Sequence, residues 1–410
     1  MKKILSTLDL LMLSLMIISL PSVEAPKHIF LVLYLVTRFI TEVIQFRKGK
    51  GSWGGSDTLF ATIICTALLS TVFAGFSGLE EWRGLKVLLT AILSGWALSR
   101  ANYAKNDYHN LFKLIIIGAI LSLIYGIYEY LIIQSKSNLQ LHSVGHVNHS
   151  AIYLVMIFGA SLGWFLSNLK PKKETLRINF QSILLWMLSF LFFISLIIGQ
   201  SRGALGIATI LGVFLVFLLG KNKVIKITCI LTIIGILILS VALKANIIQK
   251  QIANSKNNNV MAYRDRVWHA SLEASRFYPL LGIGMSNWHF ITLDHLKKSV
   301  ESRGGKFNKD NYYLAGHSHN LYLTALVERG VIGLFVTFFL MIAWFKQLMQ
   351  TFNWAKKIKQ ASYLWAGSFS AWFATFGIGL VNTTFHHEHG ILACILLGLY
   401  LSYNRYHFKN

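Results

Sequence analysis

Twelve apolar runs, each of about 17–23 residues, follow one another along this chain and leave little room for any soluble core. They lie near residues 4–20, 28–46, 57–75, 84–99, 111–133, 149–168, 181–199, 204–220, 224–243, 320–345, 361–383 and 389–404. A hydrocarbon core about 30 Å thick is crossed by about 20 apolar helical residues. Backbone groups in lipid must be satisfied within their own segment, so such runs are helices and not open strands. The composition agrees: 54% of the 410 residues are hydrophobic and only 13% are charged. The expectation is an all-α integral membrane protein of about twelve transmembrane helices.

The first run is flanked by Lys2 and Lys3 on one side and by Val23-Glu24-Ala25 on the other, which also fits a cleaved secretory signal. We favour an uncleaved first helix, and either choice starts residue 28 outside. Lys and Arg then fix the orientation. With the N-terminus inside, the cytoplasmic connections hold Arg47, Lys48, Lys50; Arg100, Lys105; Lys170, Lys172, Lys173, Arg177; Lys221, Lys223, Lys226; and Lys346, Lys356, Lys357, Lys359. Arg405 and Lys409 add to a cytoplasmic C-terminus. Much of the +23 net charge is therefore topology, and no basic soluble segment exists that could grip nucleic acid. Cys65, Cys229 and Cys394 all sit in apolar runs, too scattered for a metal knuckle or a disulfide framework.

The chain divides into nine runs over 1–243, a polar outer loop over 244–318, and three runs over 319–410. The loop carries eleven Lys/Arg against five Asp/Glu. Long translocated loops escape the positive-inside bias, so this surplus points to an anionic partner outside the membrane. Within it, Tyr263-Arg264-Asp265-Arg266-Val267-Trp268-His269 reads as a short amphipathic helix at the interface. Pro279-Leu280-Leu281-Gly282-Ile283-Gly284 supplies turn chemistry, and Trp288, His289 and Phe290 read as an aromatic foot among lipid headgroups. The loop is a membrane-hugging cap more than a free domain.

Polar clusters gather on the outer face. Arg202 lies in a very short turn, Arg264 and Arg266 in the long loop, and His317 and His319 close that loop. Charge at a helix mouth is costly without a partner or a cavity. Guanidinium groups grip phosphate in a planar, bidentate way, so two arginine sites beside a histidine suggest a phosphate-bearing substrate with a base near it. His319-Asn320 opens an apolar helical run. At about 100° per residue, Gly330 and Gly333 fall within roughly 40° of the His319 direction, where a neighbouring helix could approach closely. His142, His146 and His149, and the group His386, His387, His389, could bind a metal, but neither matches a zinc signature, and we expect none. Arg38 and Glu42, four apart, read as an internal ion pair. Arg83 and Lys86 could join the phosphate-binding set, whereas Glu328 lies about 180° around the helix from His319 and cannot orient it.

With these parts assembled, the chain resembles the O-antigen ligase and polymerase superfamily of bacterial envelope glycosyltransferases. Three places carry the likeness: His319-Asn320, nine residues, Gly330, two residues, Gly333; Arg264 four before Trp268, followed by Pro279 through Gly284; and Arg202 at the start of the eighth run. The segment Gly145-His146-Val147-Asn148 is similar to a Gly/Asn-bearing turn of that family. One departure is that Leu205 follows Arg202 at the third position, with Gly206 where the family often has Leu. The likeness implies an inverting, metal- and cofactor-independent transfer at the periplasmic face of the inner membrane. The donor would be polysaccharide on undecaprenyl diphosphate and the acceptor a sugar hydroxyl of lipid A–core, both in a membrane setting. It further implies His319 as base and Arg202, Arg264 and Arg266 on the diphosphate. His317, Asn320, His146 and Arg83 would then stand on the supporting or acceptor side.

Most like an O-antigen ligase, the chain leaves open an O-antigen polymerase or a periplasmic protein glycosyltransferase, which share the donor. A secondary transporter is the reading from another class. Transporters place broken helices and polar groups at mid-membrane in matching halves. Here Pro21, Pro26, Pro171 and Pro279 all lie outside the apolar runs, and the polar clusters sit at the outer mouth.

Overall fold

The computed structural model describes residues 2–48, 53–142, 144–169, 179–242, 246–256, 261 and 263–408. Lys50, Lys170, Lys172, Lys173, Arg177 and Lys409, expected on the cytoplasmic side, lie outside these residues, as does Lys244 at the start of the outer loop. Among the described residues the chain forms fifteen α-helices. These are α1 (Lys2–Ser19), α2 (Glu24–Arg47), α3 (Gly55–Val72), α4 (Glu80–Ser99), α5 (Lys105–Tyr128), α6 (Val147–Asn168), α7 (Phe180–Ile198), α8 (Arg202–Leu219) and α9 (Lys223–Ala242). There follow α10 (Asn246–Lys256), α11 (Arg264–Ala274), α12 (Leu293–Glu301), α13 (Leu321–Ala355), α14 (Lys359–Phe373) and α15 (His387–His407).

Among the described residues eight helices are long and apolar enough to cross a membrane: α2, α3, α5 with its π-helical extension to Ile133, α6, α7, α8, α9 and α13. The other four predicted runs also become helices, but each falls short of that measure. The apolar part of α1 is shorter. Glu80, Glu81, Arg83 and Lys86 open α4, α14 is only 15 residues long, and α15 begins with His387, Glu388 and His389. Both α14 and α15 are buried along most of their length, as is α6 on every side. Their polar groups are shielded by protein and not by lipid, which is why hydropathy alone under-reads them. At the centre α14 packs on α6 and α15 on α4 and α14, while α2 and α9 are largely exposed at the periphery.

The connections after α1, α3, α5, α7, α9 and α14 meet on one face. There Ser201 Oγ donates to Asn148 Oδ1 (3.3 Å), Gly75 N to Gly282 O (3.2 Å), and Leu321 N to Gly379 O (2.7 Å). On the opposite face Arg38 pairs with Glu42, as the spacing of four suggested, inside a wider network with Asp9, Asp57, Arg100 and Arg405.

The segment between α9 and α13 has a core of its own, built from Ala270, Ala274, Ile283, Trp288, Ile291 and Leu296 against Val327 of α13. Trp288 is a correction to the aromatic foot: it is buried in this core, where its Nε1 donates to Glu328 Oε1 (2.7 Å). Cys229 and Cys394 are buried, whereas Cys65 is exposed on α3.

The run after His319 is not one straight helix. Gly330 stands at φ 66°, ψ −168° in the middle of α13, and the Pro279–Gly284 segment fills the break. Ile283 N donates to Val327 O (2.9 Å), Gly284 N to Glu328 O (3.1 Å), and Val331 N returns to Pro279 O (2.8 Å). Ser70 Oγ of α3 donates to both Leu281 O and Glu328 O (2.8 Å each). The carbonyls and amide freed by the break thus find partners, as a membrane-depth kink requires. The expected packing role of Gly330 and Gly333 is corrected accordingly. A Cβ at Gly330 would meet Leu280 O at 2.2 Å, and one at Gly333 would meet the Arg329 Cβ at 2.2 Å. What approaches Gly330 is a loop backbone and not a neighbouring helix.

Candidate active site

Asn320 is the N-cap of α13: its Oδ1 accepts from Tyr322 N (2.9 Å) and Leu323 N (3.0 Å), and its Nδ2 donates to Leu380 O (2.9 Å). That cap satisfies donors at the helix start and ends the helix at Leu321. His319 therefore lies just outside α13, at φ 50°, and the helical projection from His319 to the glycines does not hold. The Asn320 contacts are structural, fixing the backbone from which the imidazole projects.

His317 Nε2 and His319 Nδ1 are 3.1 Å apart. Burial first, and then the nearby Arg264 guanidinium, lower the His319 pKa, against a smaller opposing pull from the Asn382 side chain that favours the protonated ring. Burial, then His319, His146 and His387, push His317 down to about 4. Both imidazoles are thus set to be neutral near neutral pH, and across the 3.1 Å contact one ring donates its N–H while the other accepts; His319 keeps a lone pair for a substrate when its Nδ1 is the donor. Behind them Ser318 Oγ bonds Thr324 Oγ1 (2.6 Å), which bonds Thr383 Oγ1 (3.1 Å), a buried hydroxyl chain tying the His loop to the turn after α14.

Arg264 begins α11 after Tyr263, which adopts the left-handed conformation, and Arg202 begins α8 after Gln200 and Ser201. Both are half-buried. Burial first, and then the Arg202 charge, lower the Arg264 pKa from its ordinary value. The Arg202 charge thus acts on Arg264, and that of Arg264 on His319. Such a pair favours an anion between its members.

The remaining expected residues divide. His146 caps α6, its Nδ1 accepting from Asn148 N (3.2 Å), and its field reaches His317 and His319. Arg266 lies with its guanidinium 5.1 Å from the centre of the Tyr263 ring, and its carbonyl accepts from Tyr313 N, so its contacts are with the loop itself. Arg83 pairs with Glu80 (2.7 Å) and lines a cavity of about 380 Å³ with Lys27, Lys86, His387 and Glu388. A second cavity, of about 270 Å³, is lined by His317, Glu328, Arg329, His386 and His387. His387 and Val87 border both, so the Arg83 cavity adjoins the one that His317 lines.

Sequence reasoning missed Asn382, Thr324 and Thr383, whose polar side chains are unremarkable in an apolar run. It also missed Lys27, buried between Glu24 and Glu388, although a lysine early in an apolar run was a visible signal.

No curated protein matches the chain. Residues 187–338, rather more than a third of it, match the family model described as O-antigen ligase. The matched segment runs from α7 into α13 and holds Arg202, Arg264, His317, His319 and the kink glycine Gly330. Residues 187–338 are thus similar to the O-antigen ligase family, which is consistent with a member of the O-antigen ligase and polymerase superfamily.

Proposed function

We propose that this protein is an O-antigen ligase, moving a polysaccharide from undecaprenyl diphosphate to a sugar hydroxyl of lipid A–core at the periplasmic face of the inner membrane. The observation that carries the reading is the Arg202–Arg264 pair beside His319. In the transfer, the acceptor oxygen attacks the anomeric carbon from the face opposite the diphosphate, and the bond from that carbon to the phosphate oxygen breaks with inversion. The hydroxyl proton passes to the neutral His319 imidazole. The diphosphate leaves with one more negative charge than it had as an ester, and Arg202 and Arg264 stabilise that charge as it develops. Asn382 steadies the imidazolium that forms, since its hydrogen bond favours the protonated ring.

The test uses a strain lacking the protein, complemented with wild type or His319→Ala at matched membrane levels. Lipopolysaccharide and carrier-linked glycan are resolved together. Core without polymer, with long chains accumulating on the carrier, is expected. Single repeat units on the carrier would instead assign a polymerase, and two unchanged pools would remove His319 from the chemistry.

A further inference from the structure

Outside the matched segment, three imidazoles come together where α6 and α15 begin. His149 lies in the first turn of α6, His386 caps α15 and His387 is its first residue. Each offers a ring nitrogen within 4.8 Å of the others. The ring centroids are 4.8 Å (His149–His386), 4.7 Å (His149–His387) and 4.5 Å (His386–His387) apart. His386 Nε2 lies 3.0 Å from Thr383 O, so it carries the proton and donates, which leaves Nδ1 as the nitrogen with the lone pair. That is how a metal-binding histidine is oriented, with the other nitrogen fixed on a carbonyl.

A second, independent observation points the same way. His389 is 0% exposed, and neither of its ring nitrogens has a hydrogen-bond partner among the described residues. Its ring centroid is 5.2 Å from that of His149 and 5.0 Å from that of His386. A buried imidazole with two unsatisfied nitrogens is costly. The nearby carboxylate, Glu388, is already engaged by Lys27.

We propose that His149, His386 and His387 bind one divalent transition-metal ion, with zinc as the best match, and that His389 is its buried fourth imidazole. Imidazole-only ligand sets suit zinc, copper and nickel over magnesium or calcium, and zinc imposes the least geometry of its own. Zinc–nitrogen bonds of about 2.0–2.1 Å would draw the rings inward by side-chain rotation. The ion would clip the start of α6 to the start of α15. His317 lies 6.4 Å from His386 between ring centroids, so the clip would form one wall of the His317 cavity. His387 also borders the cavity that Arg83 lines, and the zinc measurement below reads the metal site without reading the transfer reaction.

The full chain would be purified in detergent with a tag lacking histidine, stripped with chelator, exposed to zinc and freed of excess by gel filtration. Wild type is expected to retain about one zinc per chain and to melt at higher temperature with the ion than without it. The variant His149→Gln/His387→Gln should retain almost none while eluting as wild type does. Because that variant could fail to fold, wild type is also titrated with cobalt, which should give the intense visible absorption of a tetrahedral nitrogen site at one equivalent. Zinc retained equally by the variant would mark scattered surface histidines and overturn the site. So would a wild type that retains no zinc and shows no cobalt band.

Discussion

At the residue scale, the chemistry rests on how burial and neighbouring charge set the imidazoles and guanidiniums. The His319 pKa lies below the ordinary histidine value of 6.5, so its base form persists below that pH and is lost only as pH falls through the depressed value. Transfer by the purified protein should therefore stay flat from neutral pH to below 6.5 before its acid limb falls; a limb above 6.5 would contradict His319 as the titrating base. Asn382→Ala removes the hydrogen bond that favours the charged ring, so it should move this limb further down and slow transfer, measured as a pH profile of kcat/KM. Arg264→Lys keeps a charge but loses the planar fork. It should cost about 10²-fold or more in kcat/KM with normal membrane insertion, and full activity would exclude Arg264 from the diphosphate. Residue types and loop position made His319, Arg202 and Arg264 legible in the sequence, because charge at a helix mouth has few structural uses. Asn382 was not, since an asparagine 63 residues after His319 becomes its partner only through the turn that follows α14. Arg266 was legible as a charge but not in direction, which the Tyr263 ring decides.

Among the elements, α13 shows why pattern and path differ. Hydropathy reads residues 320–345 as one run, and an apolar stretch carries no sign of a break except its glycines. The break at Gly330 exists because Pro279–Gly284 supplies partners for the backbone groups it frees, a pairing distant in sequence that no local signal announces. It gives the Gly282-Ile283-Gly284 motif a physical task, since a Cβ at Gly282 would meet the Glu328 carbonyl carbon and oxygen at 2.3 Å. Both Gly282 (φ 81°) and Gly330 (φ 66°) occupy the left-handed half of backbone space, which side chains resist. Gly330→Ala and Gly282→Ala should each destabilise the protein by about 2–4 kcal/mol, combining backbone strain with a clash against main chain that cannot swing away. Thermal unfolding in detergent would register this as a fall of several degrees, and an unchanged midpoint would mean the break is not tightly held. By contrast the helical class and the extent of most runs were readable, because each follows from hydropathy over many residues.

Across the whole molecule, the face opposite the histidines is locked by an ion network that balances its own charge. Arg38, Arg100 and Arg405 meet Asp9, Glu42 and Asp57, joining α1, α2, α3, the end of α4 and α15. Its centre is Asp57, which is 0% exposed. Oδ1 accepts from Arg100 Nη1 (2.8 Å) and Trp96 Nε1 (3.0 Å), and Oδ2 accepts from Gly54 N (2.8 Å) and Arg405 Nη2 (3.1 Å). Asp57→Asn keeps the shape but turns one acceptor oxygen into a donor facing two other donors and leaves the network with a surplus positive charge. Removing one member of a buried pair strands its partners, at a cost of about 3–5 kcal/mol. We expect Asp57→Asn to lower the melting midpoint by several degrees, with transfer per folded molecule unchanged, because the network and the His319 site lie on opposite faces. Adding Arg405→Gln should recover part of the loss by removing the surplus charge and one of the stranded donors, a coupling that a double-mutant cycle reads directly. Strictly additive losses would mean that Arg405 and Asp57 act independently and that the network is held by Arg100 alone.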